Sequence, residues 1–184
     1  MLSRFKPAVS VIFQPLTRKI ADVGIKPNHL TALSILMGLG ASYFILSGNI
    51  LEGVVFLLIS VFLDALDGAL ARNENLKSDF GGFLDSVMDR YVDAAIIISI
   101  GVHADQIFLA SLAVVGALMV SYTRARAEQI IERCDVGIAE RGERMIILIF
   151  GLLFNLNYYS LLLVAVLAHL TAIHRIVFTH SQSK

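Results

Sequence analysis

Apolar residues along the chain fall into six blocks, at Leu30–Ser47, Leu51–Arg72, Gly81–His103, Gln106–Glu128, Arg141–Asn155 and Tyr158–Phe178. About 20 mostly apolar residues, at about 1.5 Å of rise each, carry a helix across a hydrocarbon layer roughly 30 Å thick. The block at Arg141–Asn155 is short for this and has room to extend in either direction. Tiny connections (Gly48–Ile50, Ala104–Asp105, Leu156–Asn157) alternate with longer polar ones (Asn73–Phe80, Gln129–Glu140). The pattern predicts an all-α integral membrane protein with six transmembrane helices. Ahead of them, Met1–Val23 is too polar to span and lacks the small-residue cleavage site of a signal peptide. Leu2, Phe5, Val9, Val11, Ile12, Phe13, Leu16 and Ile20, with Arg4, Lys6, Arg18 and Lys19, suit an amphipathic juxtamembrane helix that Pro7 and Pro15 kink or interrupt, or else a plain tether. The expected organisation is one membrane domain over residues 1–184: an interfacial segment (1–26), a six-helix bundle (27–178) and a tail (179–184).

Composition sharpens this picture. Of 184 residues, 57% are hydrophobic and only 16% charged, with a mean hydropathy of +0.75, whereas soluble domains carry roughly a quarter charged residues. No length remains for a soluble catalytic domain. Fifteen Lys and Arg balance fifteen Asp and Glu, which gives no basic excess for nucleic acid. Cys134 is the single cysteine, so no internal disulfide forms, and it reads as an ordinary small residue. The three tiny connections hold no Lys or Arg; the basic residues lie in the first thirty residues, at the longer loops and their helix ends, and at Arg90, Arg175 and Lys184. By the positive-inside rule, both termini and both longer loops are cytoplasmic in a multi-pass protein of the cell membrane.

Within the second and third blocks stand Asp64, Asp67, Asp85, Asp89, Arg90 and Asp93. A charge at the centre of a span costs roughly 2.5–3.5 kcal/mol, so these groups face the bundle interior and are compensated. Asp64 and Asp67 are spaced i,i+3, while Asp85, Asp89 and Asp93 follow i,i+4 steps, so each set lines one helical face. Counted from the helix ends, Asp64, Asp67, Asp85 and Asp89 converge in the cytoplasmic third of the membrane. A cation must offset their repulsion, and oxygen-only ligands select Mg²⁺, Mn²⁺ or Ca²⁺. Asp93 lies deeper and reads as a structural partner for Arg90 or another base, with accessory acceptor binding as the alternative. Gly68, Ala71, Gly81 and Gly82 leave room for a ligand near the backbone, although small residues in membrane helices also serve helix packing. Beside the carboxylates and Arg72, the slot suits a metal-bridged pyrophosphate better than a bare ion.

The run Asp64-Ala-Leu-Asp67-Gly68-Ala-Leu-Ala71-Arg72, eight further residues, then Gly81-Gly-Phe-Leu-Asp85-Ser-Val-Met-Asp89, fills every position of D-x2-D-G-x2-A-R-x8-G-x3-D-x3-D. It resembles the signature of the CDP-alcohol phosphatidyltransferases, and Pro27-Asn28-His29-Leu30-Thr31 is similar to the family's P-N-x-[LI]-T segment. The resemblance implies a six-helix membrane domain preceded by a juxtamembrane helix. It implies transfer of a phosphatidyl-type group, diacyl or diether, from a CDP-activated lipid to an alcohol, with release of CMP. Carried over, Asp64, Asp67, Asp85 and Asp89 hold one or two divalent ions, Mg²⁺ or Mn²⁺, and Asp89 is the general base. Asn28, Thr31, Asp67, Gly68, Ala71, Arg72, Gly81 and Asp85 contact the cytidine diphosphate. A homodimer is a further implication of the resemblance alone.

Arg124 and Arg126 end the fourth block and Arg141 and Arg144 open the fifth, so two cationic helix ends are expected to bind a phosphate monoester on the acceptor. Arg133 reads instead as a loop charge paired with nearby glutamates. Ser121-Tyr-Thr-Arg124-Ala-Arg126-Ala-Glu128 and Ile138-Ala-Glu140-Arg141-Gly-Glu143-Arg144 resemble the branch of the family that uses inositol phosphate. Glycerol 3-phosphate, with the same dianion, is the alternative acceptor. A cation transporter is the rival of another class, since intramembrane carboxylates also mark ion pathways. Transport would place them near the midplane, whereas these gather on one side. A non-catalytic structural protein gives no reason to carry the insertion cost of the aspartates.

Overall fold

The computed structural model describes residues 6–183, with the side chains of residues 6–9 left out. The order is α1 (Lys6–Asp22), α2 (Pro27–Leu46), α3 (Ile50–Asn73), α4 (Asp79–His103), α5 (Ile107–Ala127), α6 (Arg141–Leu153) and α7 (Asn157–Gln182), and no strand occurs among the described residues. The six predicted blocks all form, with ends shifted by a few residues; the fifth does not extend but stops at Leu153, two residues short of its block. Two expectations are corrected. α1 is not interrupted at Pro15, and the last helix continues past Phe178 to Gln182, into the segment expected as a tail. No Gly or Pro stands between Phe178 and Gln182 to stop that helix.

Five connections close the same way. Gly24, Gly48, Asn75, Asp105 and Asn155 take positive φ, and the next residue's N–H donates back five residues: Ile25 to Ile20 (3.2 Å), Asn49 to Phe44 (2.9 Å), Leu76 to Ala71 (3.1 Å), Gln106 to Gly101 (2.7 Å) and Leu156 to Gly151 (2.7 Å). These left-handed caps satisfy carbonyls that a helix end would otherwise strand.

Among the described residues, four helices are long and apolar enough to cross a membrane: α2, α3, α5 and α7. α4 is long but carries the carboxylates and Arg90, and α6 has only 13 residues.

The chain divides into two compact units, Ser3–Ile96 and Ile97–Lys184, with the boundary inside α4. In the first, α2 and α3 pack closely, and α1 lies against α3. Ser34 and Ser60 exchange bonds across α2 and α3, each hydroxyl donating to the other's carbonyl at 3.1 and 2.8 Å. A core of Leu30, Leu66 and Leu70, flanked by Phe13, Ile20, Ala21, Ile25 and Leu63, ties α1 to the far end of α3. In the second unit, α7 packs on α5 and α6.

Candidate active site

The Ser3–Ile96 unit contains every carboxylate of the signature. On α3, Leu63, Leu66 and Leu70 turn into the core, which leaves Asp64 and Asp67 on the neighbouring helical face. Asp85 of α4 meets them: one carboxylate oxygen each from Asp64, Asp67 and Asp85 lies within 4.8 Å of the others. Asp67 is buried at 5% exposure, and the other two are half-buried. Three carboxylates this close repel strongly unless a cation joins them. An all-oxygen set of this kind fits a hard divalent ion, and these three residues could hold one. Asp89, expected as a fourth ligand, stands one turn beyond Asp85 and outside this group of three. Its side chain is 17% exposed, with Arg90 Nη1 3.7 Å from Oδ2. Arg90 also donates to the Ser86 carbonyl, and Asp93 is buried at 3% exposure.

The residues expected to contact cytidine diphosphate lie in the same unit, and several contact one another. Thr31 Oγ1 donates to Asp67 Oδ2 at 2.7 Å, so this hydroxyl orients a carboxylate. Asn28 reaches the start of α4, where its Oδ1 lies 3.1 Å from the place a Cβ on Gly81 would occupy. The space over Gly68 is taken by a side chain of the protein itself: a Cβ there would stand 3.1 Å from Nη1 of Arg72. Arg72 Nε in turn donates to Ser10 Oγ of α1 at 2.7 Å. Ala71 is half-buried one residue before it, and its carbonyl accepts the capping bond from Leu76.

The four candidate acceptor arginines lie in the other unit. Arg124 is held by Glu128 (3.0 Å), Asp135 (3.0 Å) and Glu140 (3.6 Å). Arg126 is exposed and donates to Gln129. Arg144 is 2% exposed and donates to the Ala139 carbonyl at 3.0 Å, while Arg141 is half-buried at the start of α6. Arg133 pairs with Asp135, a loop partner other than the glutamates expected.

A CDP-alcohol phosphatidyltransferase family model matches residues 25–178. The chain belongs to this family. It is 44% identical to the archaetidylinositol phosphate synthase of Pyrococcus horikoshii over 182 residues, 96% of this chain and 95% of that one. Among solved structures it is similar to the phosphatidylinositol phosphate synthase of Mycobacterium tuberculosis with CDP-DAG bound (TM-score 0.80, 27% identity, covering 91% of this chain and 93% of that one). It also matches the same protein in complex with manganese and citrate (TM-score 0.81, 26% identity, 91% and 88%). The chain is thus a phosphatidyltransferase and a membrane protein.

Sequence reasoning about this phosphatidyltransferase missed two groups. Arg175 of α7 is 2% exposed. It donates from Nε to the Val136 carbonyl at 2.8 Å and from Nη1 to that of Val120, with Nη2 3.5 Å from Glu140. With Thr171, whose Oγ1 accepts from Ile138 and Ala139 at 3.2 and 3.1 Å, it fastens the α5–α6 loop. The available signal was a lone arginine in an apolar run. The second group, Ser10 with Arg72, had no signal beyond Ser10 and Thr17 recurring on one helical face.

Proposed function

We propose that the chain transfers the lipid-phosphate group of a CDP-activated diacyl or diether lipid to a hydroxyl of inositol phosphate and releases CMP, a step of phospholipid biosynthesis. The observation that carries the reaction is the meeting of Asp64, Asp67 and Asp85 at the signature. The acceptor is supported by the relative and the solved structures, which are inositol phosphate-lipid synthases by name.

Asp64, Asp67 and Asp85 would hold a divalent ion, Mg²⁺ or Mn²⁺, with Asp89 contributing from the next turn, and the manganese in the mycobacterial structure supports this set. When bound, such an ion neutralises charge on the pyrophosphate. Thr31 fixes the Asp67 carboxylate, and Arg72, over Gly68, meets the donor phosphates with Asn28, Ala71 and Gly81 alongside. The acceptor oxygen forms its bond to the β-phosphorus as the phosphoanhydride bond to CMP breaks, and Asp89 takes the hydroxyl proton. Arg124, Arg126, Arg141 and Arg144 bind the acceptor's phosphate.

In this reading α4 and α6 complete six spans of one domain over residues 27–178, after the interfacial segment, and the unbroken family match over 25–178 supports it. Both termini and the active site face the cytoplasm, a reading that the basic loops support, and the enzyme is a homodimer.

The test is CMP release by purified protein from CDP-diacylglycerol and, in parallel, its diether counterpart. Mg²⁺ or Mn²⁺ would be present, with inositol phosphate, glycerol 3-phosphate, inositol or serine as acceptor and Asp89→Asn as control. Release with inositol phosphate alone, lost with chelator and with the variant, is the expected result. Release with glycerol 3-phosphate alone would keep the chemistry and overturn the acceptor; no release with any pair would overturn the reaction.

A further inference from the structure

α1 is fastened to α3 by polar contacts from Ser10 and Thr17 to Arg72 and Asn73. Ser10, 8% exposed, accepts from Arg72 Nε at 2.7 Å. Its carbonyl accepts from Asn73 Nδ2 at 2.8 Å, and the same amide reaches Thr17 Oγ1 at 3.1 Å. Phe13, between them on that face, packs edge-on to Phe62 with ring centres 5.6 Å apart. The bond from Nε sets the direction of one of the guanidinium's coplanar N–H groups and so restrains where the terminal nitrogens lie. Its terminal nitrogens lie over the small face of α3, with Nη1 3.1 Å and Nη2 3.7 Å from where a Gly68 Cβ would stand.

A flexible arginine at the end of a helix would have to surrender rotamer freedom on meeting a ligand. Here the freedom is already gone, and the residue that removes it lies 62 positions earlier in the chain. We propose that Ser10 is a positioning residue for the donor site: through Nε it holds Arg72 in the orientation that presents Nη1 and Nη2 to the donor phosphates. This makes α1 a part of the donor site, and not only a tether. The proposal rests on the assignment of Arg72 to those phosphates.

The test uses the purified full chain with CDP-diacylglycerol, Mn²⁺ and inositol phosphate, and measures the affinity for CDP directly alongside turnover. Loss of one hydrogen bond to a charged group predicts that Ser10→Ala raises donor KM about tenfold, with acceptor KM and Tm unchanged. Ser10→Thr, which keeps the hydroxyl, stays near wild type. In an Arg72→Gln background, Ser10→Ala adds nothing further, because its effect runs through Arg72. A lowered Tm with unchanged donor KM, or an equal loss in the Arg72→Gln background, would show a merely structural contact and overturn the proposal. If wild type binds CDP without releasing CMP, the reaction assignment fails, and the change in CDP affinity decides the Ser10 question by the same criteria. Wild type with no affinity for CDP would overturn both.

Discussion

Asp67 sits at 5% exposure with Oδ2 held at 2.7 Å by Thr31, and one oxygen each of Asp64, Asp67 and Asp85 lies within 4.8 Å of the others. A ligand carboxylate oriented by a second residue binds metal more tightly than one free to turn, an effect of roughly 10- to 100-fold. Thr31→Val should therefore raise the Mg²⁺ or Mn²⁺ concentration for half-maximal activity about tenfold, and Thr31→Ser should restore it; a metal titration of CMP release reads this out. Gly68→Ala tests the neighbouring contact. Its Cβ would stand 3.1 Å from Arg72 Nη1, tighter than ordinary van der Waals distance, so the guanidinium must shift. Donor KM should rise several-fold while acceptor KM stays, in initial-rate kinetics over both substrates. The carboxylates were legible from sequence because an unpaired charge in a span is too costly to keep without a use. The tie from Thr31 was not, because a helical threonine hydroxyl ordinarily bonds the carbonyl one turn back, and its reach to a residue 36 positions away exists only once α2 and α3 pack.

Between elements, the least legible feature is the loop from α5 to α6. The sequence suggested phosphate-binding arginines and local pairs with glutamates there, but not that Arg124, Glu140 and Arg175 form one connected set, or that Gly137 enters at φ +136° against Thr171 and Arg175. Hydropathy located α7 correctly but said nothing of which partner its one arginine would find. Arg175→Met removes the hydrogen bonds to Val136 and Val120 and the charged contact with Glu140. Breaking a buried charged contact of this kind costs about 3 kcal/mol. The variant should melt at lower temperature and be cleaved by protease within the loop at Arg133, which is 79% exposed, faster than wild type. Unchanged Tm and cleavage would show that α7 does not secure the loop. The helix ends were legible where Gly24 and Gly48 mark them, and less so at Asn75, Asp105 and Asn155, which adopt the same left-handed cap with a side chain in place. At Pro15, where a kink or an interruption was expected, the helix continues. The packing of Phe13, Thr17 and Ile20 on α3 holds α1 together on both sides of the proline.

For the whole molecule the open question is how many helices cross. α2, α3, α5 and α7 qualify on length and apolarity. The 13 residues of α6 rise only about 20 Å, less than the roughly 30 Å hydrocarbon layer, and α4 is interrupted by acids that no lipid-facing helix would carry. Six crossings and four crossings give the same location for the first loop and for the C-terminal end, so terminal tags do not separate them. They differ at two places. With six, Asp105 lies outside and Arg133 inside; with α4 and α6 not crossing, each moves to the other side. Asp105 is an exposed capping residue and Arg133 an exposed loop residue. In a Cys134→Ala background, which removes the single native thiol, Asp105→Cys and Arg133→Cys can be probed with a membrane-impermeant maleimide on intact cells and again after permeabilisation. The positive-inside rule counts short loops and the residues beside span ends. The tiny loop at Ala104–Asp105 has no basic residue, while the loop holding Arg133 is flanked by Arg124, Arg126, Arg141 and Arg144. The expected outcome is immediate labelling at position 105 and labelling at 133 only after permeabilisation. The acids of α4 do not weigh against a crossing, because Asp85 meets Asp64 and Asp67 of α3 instead of lipid. α6 must then cross with the help of its flanking residues or a locally thinned bilayer. The reverse labelling pattern would leave four spans and move the arginine-bearing loop to the outer surface, where it could not bind a cytoplasmic acceptor.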